Sequence, residues 1–142
     1  MNQNNTLQPI LYIDDEKDNL TVFYSTFRRH FQVYLAESGK EGLKLMEKHD
    51  MHLVIADQRM PEMTGIEFLE KIIPQYPDCV RMVLTGYSDV EAIIQAINKG
   101  RVYRYITKPW NKEDLKITIE QALETFQLKR QNRKLVKRKA TT

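Results

Sequence analysis

Two runs in this chain, Leu53–Ala56 and Val80–Leu84, are apolar almost without interruption. A strand with one wet face alternates apolar and polar residues. A continuous run needs cover on both faces, as in a parallel sheet clad in helices. Three further runs, Ile10–Ile13, Phe31–Ala36 and Val102–Ile106, share the Val, Ile, Leu, Tyr and Phe content of strands. Between the five runs the apolar residues change to helical spacing. The stripes are Leu20, Phe23 and Phe27; Leu43 and Met46; Ile66, Leu69 and Ile73; Val90, Ile93, Ile94 and Ile97; and Leu115, Ile119, Ala122 and Phe126. Ser38 with Glu41 and Ser88 with Glu91 read as capping boxes, Asn111 as the cap of the last helix, and Pro74, Pro77 and Gly100 as helix stops. Strict strand–helix alternation over 142 residues predicts one three-layer α/β domain with a parallel sheet.

Charge divides the chain. Seven of its 22 Lys and Arg residues follow Glu124, where there is no Asp or Glu, so residues 1–124 carry −4 and the last 18 residues +7. The sequence pI of about 8.9 therefore belongs to the tail rather than the body. No apolar run approaches the roughly 18 residues of a membrane span. The opening Met-Asn-Gln-Asn-Asn-Thr has neither the basic start nor the apolar stretch of a secretory signal. With a single cysteine, Cys79, the expectation is a cytoplasmic protein without membrane partners. Cys79 reads as an inert thiol and His49 and His52 as solvated surface groups, and the three histidines, His30 included, lack the thiolate company of a zinc site.

The chemistry collects where strands end. The first run leads into Asp14-Asp15, the third into Asp57, the fourth into Thr85 and the fifth into Lys108-Pro109. Open parallel sheets bind ligands outside the carboxyl ends of their strands, so these residues point at one edge. Alone, each has a bland reading: an N-cap for Asp14-Asp15, a turn for Asp57 and for Thr85-Gly86, a solvated surface lysine for Lys108. Together, three carboxylates, a hydroxyl and an ammonium suit a hard divalent cation beside a phosphoryl group, with one carboxylate as nucleophile.

The strings Tyr12-Ile-Asp-Asp-Glu16, Val54-Ile-Ala-Asp-Gln-Arg-Met-Pro-Glu-Met-Thr-Gly65, Val83-Leu-Thr-Gly-Tyr-Ser88 and Tyr103-Arg-Tyr-Ile-Thr-Lys-Pro109 resemble the receiver domain of two-component response regulators. The likeness runs from about Pro9 to Phe126. It implies a CheY-like, flavodoxin-like fold: a three-layer sandwich with a five-stranded parallel sheet of order 2-1-3-4-5 and five helices. It also implies roles. Asp57 is the phosphoacceptor for a sensor histidine kinase or a histidine phosphotransfer protein. Mg²⁺ is held by Asp14, Asp15, Asp57 and the backbone carbonyl of Arg59. Thr85 and Lys108 bind the phosphoryl group, Tyr105 turns inward with Thr85, and Lys108–Pro109 is a cis peptide. Arg59 and Tyr87 occupy the positions that tune phosphoryl lifetime. Readout falls to the face of the fourth helix, fifth strand and fifth helix, toward an output domain, a separate partner or a second copy of the chain.

The stretch Gly100-Arg-Val-Tyr-Arg-Tyr105 with Trp110 resembles receivers that precede HD-type cyclic-di-GMP phosphodiesterase or other enzymatic outputs. No such output lies within these residues, so the expectation is a piece of a longer protein or a free-standing receiver, with no turnover beyond acceptance and loss of its own phosphoryl group. A phosphohydrolase of the haloacid-dehalogenase type shares the chemical set but needs Asp-x-Asp at the first strand, where this chain has adjacent Asp14-Asp15. The expected segments are an N-terminal tail (1–8), the receiver (9–126) and a basic helical extension or linker (127–142). No nucleic-acid reader follows the receiver, and the tail reads as a linker rather than a specific nucleic-acid site. If helical to Arg138, the last segment reaches about 42 Å from Asn111. Its final turns lack acidic i,i+4 partners and are expected to fray.

Overall fold

The computed structural model describes residues 6–86 and 89–141, with side chains described as far as Val136. Five strands form one sheet: β1 (Pro9–Ile13), β2 (Gln32–Ala36), β3 (Leu53–Asp57), β4 (Val80–Thr85) and β5 (Arg104–Thr107). They run in the order β2-β1-β3-β4-β5, every neighbouring pair parallel. The five helices are α1 (Lys17–Phe27), α2 (Gly39–Lys48), α3 (Gly65–Ile72), α4 (Val90–Asn98) and α5 (Lys112–Thr141). The chain leaves β1 toward β2 and returns to β3 on the other side, so the strand order reverses between β1 and β3. That is where an open sheet opens its crevice.

Each sheet face has its own apolar layer. Ile10, Tyr12, Ile55, Met82 and Leu84 meet Phe23 and Phe27 of α1 and Ile119 and Phe126 of α5. Leu11, Ile13, Val54, Ala56 and Val83 meet Met46, Phe68, Leu69 and Ile93 of α2, α3 and α4. The alternation of strand side chains sorts the two sets, and the apolar runs of β3 and β4 are buried at every residue. Arg81 lies inside one of those runs. Its guanidinium donates to the carbonyls of Cys79, Gly100 and Arg101, which makes burial of the charge tolerable and ties β4 to the end of α4.

Helix starts follow the sequence with some differences. Asn111 caps α5 through Oδ1, which accepts the Asp114 N–H. Ser38 accepts the Glu41 N–H, but the Glu41 carboxylate reaches the Glu37 N–H rather than closing a box on Ser38. The complete box is Thr64 with Glu67 at α3, which the sequence reading passed over. Ser88 lies outside the described residues, and Asp89 occupies the N-cap of α4 without a side-chain cap bond. Gly100, at φ +75°, turns the chain out of α4 as the sequence reading expected.

Two surface readings need correction. His52 stacks on Phe126 at 4.0 Å and shares a hydrogen bond with Gln8, and His49 stacks on Tyr34 at 4.4 Å. Both are half-buried rather than solvated, because the Tyr34 and Phe126 rings cover them. The basic tail also finds acids that its own sequence lacks. Arg130 donates to Asp50 at 2.9 Å, and Arg133 holds Asp78 at 2.9–3.0 Å. Helix α5 thus continues unbroken past Phe126 to Thr141, about 45 Å in all. Among the described residues no helix is long and apolar enough to cross a membrane.

Candidate functional site

Strand register assembles the site. Ile13 pairs with Ala56, so Asp14 and Asp57 emerge side by side from β1 and β3. Asp57 pairs with Leu84, and Thr85 pairs with Thr107, which sets Thr85 and Lys108 at the next two strand ends. The Lys108 N–H donates to the Thr85 carbonyl at 2.8 Å and continues the ladder one step into the loop. Residues spread over 94 positions therefore meet because four parallel strands end level.

Asp14, Asp15 and Asp57 each offer a carboxylate oxygen within 4.8 Å of the others, and among the described residues this is the acidic group compact enough to share a cation. Asp14 and Asp57 are buried, whereas Asp15 is exposed and keeps the cluster open to solvent. The Lys108 ammonium forms an ion pair with Asp57 Oδ1. Burial pushes the Asp57 carboxyl above its ordinary value, Lys108 works against that, and the charges of Asp14 and Asp15 add to the rise. The site is thus negatively overloaded, a condition that a bound cation relieves.

Second-layer partners fix these groups, and sequence reasoning missed most of them. Tyr12 stands two residues before Asp14, on the same sheet face, and its hydroxyl donates to Asp14 Oδ2 at 2.6 Å. Burial, with Asp14 beside it, pushes the Tyr12 phenol far above its ordinary value and keeps it a donor. Asn19 Nδ2 also donates to Asp14 Oδ2, and the Glu16 N–H donates to Oδ1. Behind Asp57, Gln58 is buried, and its Oε1 accepts the Ile66 N–H at the start of α3. A Cβ on Gly65 would stand 2.6 Å from the Asp57 carbonyl oxygen, so only glycine lets α3 start this close to the site. The i, i+2 spacing of Tyr12 and Asp14 was a visible signal; the contacts of Gln58 were not.

The remaining candidates divide by placement. Thr85 is buried. Tyr105 pairs with Val83, two residues below Thr85, and is half-buried against the layer that includes α4. The Lys108–Pro109 peptide bond is cis. Trp110 packs on Phe23 and Phe27, holding the start of α5 beside α1. Arg59 is exposed at a groove shared with Gln58, Met60 and Pro61, its Nε 3.7 Å from Asp89 Oδ2. Tyr87 lies outside the described residues. Cys79 is buried and its thiol is pushed up to about 12 by burial, so it stays protonated near neutral pH.

The chain is similar to several known proteins. The hydrogenase transcriptional regulatory protein HoxA of Bradyrhizobium diazoefficiens is 35% identical over 122 residues, 86% of this chain and 25% of that protein. The chain spans about a quarter of the length of the curated relatives it matches. Among solved structures, one described as adenylate cyclase from Rhodopirellula baltica is similar with a TM-score of 0.89 and 31% identity, covering 92% of this chain and 98% of that one. The signal receiver domain of an HD domain-containing protein from Pseudomonas fluorescens Pf-5 follows at 0.81 and 32%, covering 88% and 93%. Residues 10–120, which carry every strand end described above, match the response regulator receiver domain, and it is to this family that the chain belongs.

Proposed function

We propose that this receiver takes a phosphoryl group onto Asp57 from the phosphohistidine of a sensor histidine kinase or a histidine phosphotransfer protein. The observation that supports it is the meeting of Asp14, Asp15 and Asp57 with Lys108 paired to Asp57. A carboxylate oxygen of Asp57 attacks phosphorus, the P–N bond to the donor imidazole breaks, and the imidazole leaves with the bonding pair. The fit to Mg²⁺ rests on the donor set. Hard carboxylate oxygens within 4.8 Å of one another approach the ~4 Å span of one Mg²⁺ oxygen shell, and the exposed side of Asp15 leaves room for water ligands. Asp14, Asp15, Asp57 and the Arg59 carbonyl would hold the ion, which when bound offsets charge on the phosphoryl oxygens.

Phosphorylation adds about −1.5 to −2 charges and three acceptor oxygens at the sheet edge. Lys108 then shifts its pairing from a bare carboxylate to a phosphoryl oxygen, and the Thr85 hydroxyl supplies a donor to another. Only the difference between those contacts and the present ones moves the conformational equilibrium. Tyr105, paired with Val83 two residues below Thr85 and packed beside α4, carries the change to the face formed by α4, β5 and α5. Arg59 and Tyr87 set how fast water reaches the acyl phosphate. The output is a further domain, a separate partner or a second copy of the chain, with residues 9–126 as the receiver and 127–142 as a basic extension or linker.

Intact-mass measurement after incubation with acetyl phosphate tests this reading. One phosphoryl adduct is expected with Mg²⁺ and none in EDTA, and the adduct is lost in Asp57→Asn. An adduct forming at the wild-type rate in Asp57→Asn sinks the assignment.

A further inference from the structure

Asp14 is held more tightly than its role as one acid among three requires. Its Oδ2 accepts two hydrogen bonds, from the Tyr12 hydroxyl at 2.6 Å and from Asn19 Nδ2 at 3.1 Å. Its Oδ1 accepts the Glu16 N–H at 2.9 Å. A carboxylate oxygen has two in-plane lone pairs, so Oδ2 is filled and Oδ1 keeps one. The donors are themselves fixed. The Tyr12 ring is buried and stacked on Phe23 at 4.4 Å, and the Asn19 amide is oriented by a second bond to Glu16 Oε1 at 2.9 Å. Neither donor touches Asp57 or Asp15 through a hydrogen bond among the described residues.

We propose that Tyr12, seconded by Asn19, is a positioning residue of the acidic site: it orients Asp14 so that a single Oδ1 lone pair faces the cation, and it thereby sets the concentration of Mg²⁺ the receiver requires. The inference rests on the reading of Asp14 as a cation ligand. A 2.6 Å O–H···O⁻ bond is at the short, charge-assisted end of the range, and a phenol on a stacked ring holds one direction that a water molecule would not. Without it, the carboxylate rotates about its Cβ–Cγ bond and binding must first restore its plane. Partners of this kind commonly alter metal affinity by about tenfold or more in preorganised sites. A solvent-open magnesium site with water ligands should respond at the lower end of that scale.

The test is a Mg²⁺ titration of the wild type, Tyr12→Phe, Asn19→Leu and Asp14→Asn, followed by NMR at the Glu16 amide, whose N–H reports on Asp14 Oδ1. Tyr12→Phe keeps the ring and its stacking. We expect it to raise the Mg²⁺ dissociation constant by roughly 3–10-fold. Asn19→Leu, half-buried on α1, should act in the same direction and carries the test if Tyr12→Phe does not fold. The rate of phosphorylation by acetyl phosphate at saturating Mg²⁺ should stay within about twofold of wild type in both, a split that a general packing defect would not produce. An unchanged dissociation constant in the folded variants, or an equal loss of rate at low and saturating Mg²⁺, overturns the positioning role while leaving the site intact. Wild-type protein that binds no Mg²⁺, or binds it as well after Asp14→Asn, overturns the cation-site reading and the positioning role with it.

Discussion

Replacing Asp57 by Asn should make the cation-free protein more stable, although it removes the site's central group. Two carboxylates stand within 4.8 Å of Asp57. At an effective dielectric constant of about 20, each repels it by about 3–4 kcal/mol at that distance. The Lys108 ion pair offsets most of this, and solvent at exposed Asp15 screens more. The upward shift of the Asp57 carboxyl gives the sign: burial, Asp14 and Asp15 together outweigh Lys108, so ionisation costs more in the folded chain than in the unfolded one. Asn keeps the shape and removes that cost. The variant's Tm in the absence of a cation should therefore lie above that of the wild type, each kcal/mol gained being worth roughly 3–4 °C for a domain of this size.

The pH dependence has a defined direction. Between the ordinary carboxylate value and the raised value of Asp57, the folded chain holds more protons than the unfolded one, so wild-type stability falls as pH climbs through that window and then levels. Asp57→Asn should lose this contribution. Mg²⁺ narrows the difference: at ten times its dissociation constant it stabilises the wild type by about 1.4 kcal/mol, and the variant, short of one ligand, gains less. Thermal unfolding followed by circular dichroism, in EDTA and in MgCl₂, reads both effects. A lower Tm for Asp57→Asn in EDTA, or a difference that Mg²⁺ leaves unchanged, would refute the reasoning.

At the opposite end of the sheet, Asp78→Ala should cost about 1–2 kcal/mol in urea unfolding, because its carboxylate accepts three Arg133 contacts at 2.9–3.0 Å while the arginines stay partly exposed. Arg133 holds this carboxyl below its ordinary range, so the contribution is complete above the unfolded value near 3.9 and is lost as pH falls through the folded one; amide exchange over residues 130–136 should quicken in the variant. Gly65→Ala drives a Cβ to 2.6 Å from the Asp57 carbonyl oxygen and should cost about 1–3 kcal/mol, whereas Gly86→Ala meets nothing within 4 Å among the described residues and should be neutral or gain up to about 1 kcal/mol. Equal urea midpoints for the two glycine variants would contradict the close approach.

What the sequence revealed of the site was set by the sheet. Asp14, Asp57, Thr85 and Lys108 were readable because each follows an apolar run, and parallel strands that end level bring such residues together without any further knowledge of packing. The 2-1-3-4-5 order came from the likeness of the motifs, since alternation alone does not choose among parallel orders. Contacts between distant elements were hidden. Arg130 and Arg133 lie 80 and 55 residues from the acids they meet, and local charge spacing along α5 therefore pointed to fraying. The histidines were misread for the same reason: the partners of His52 are Gln8 and Phe126, remote in sequence and adjacent only once the sheet exists. Thr64 with Glu67 was a local signal, overlooked beside the stronger motif that contains it.

The two ends of the sheet are built in opposite electrostatic senses, and α5 spans both. At the carboxyl edge three carboxylates share one close ammonium, so the ground state holds repulsion that a cation or a phosphoryl group can redistribute. At the amino edge the charges are matched: Asp50 and Asp78 face Arg130 and Arg133, and Arg130 also lies over the Phe126 ring at 4.7 Å. The start of α5 is tied to the site through Lys108, Pro109 and Trp110, and its continuation is held at the far edge by those ion pairs. A helix fastened at both ends resists sliding as a whole. On the proposed function, displacement at Thr85 and Lys108 would be taken up by less anchored neighbours, foremost α4, whose N-cap Asp89 makes no side-chain cap bond among the described residues and contacts Arg59 at 3.7 Å. On the proposed function, the acidic edge would supply the bias and the matched edge the fixed point, and the face between α4 and α5 is where the difference would become movement.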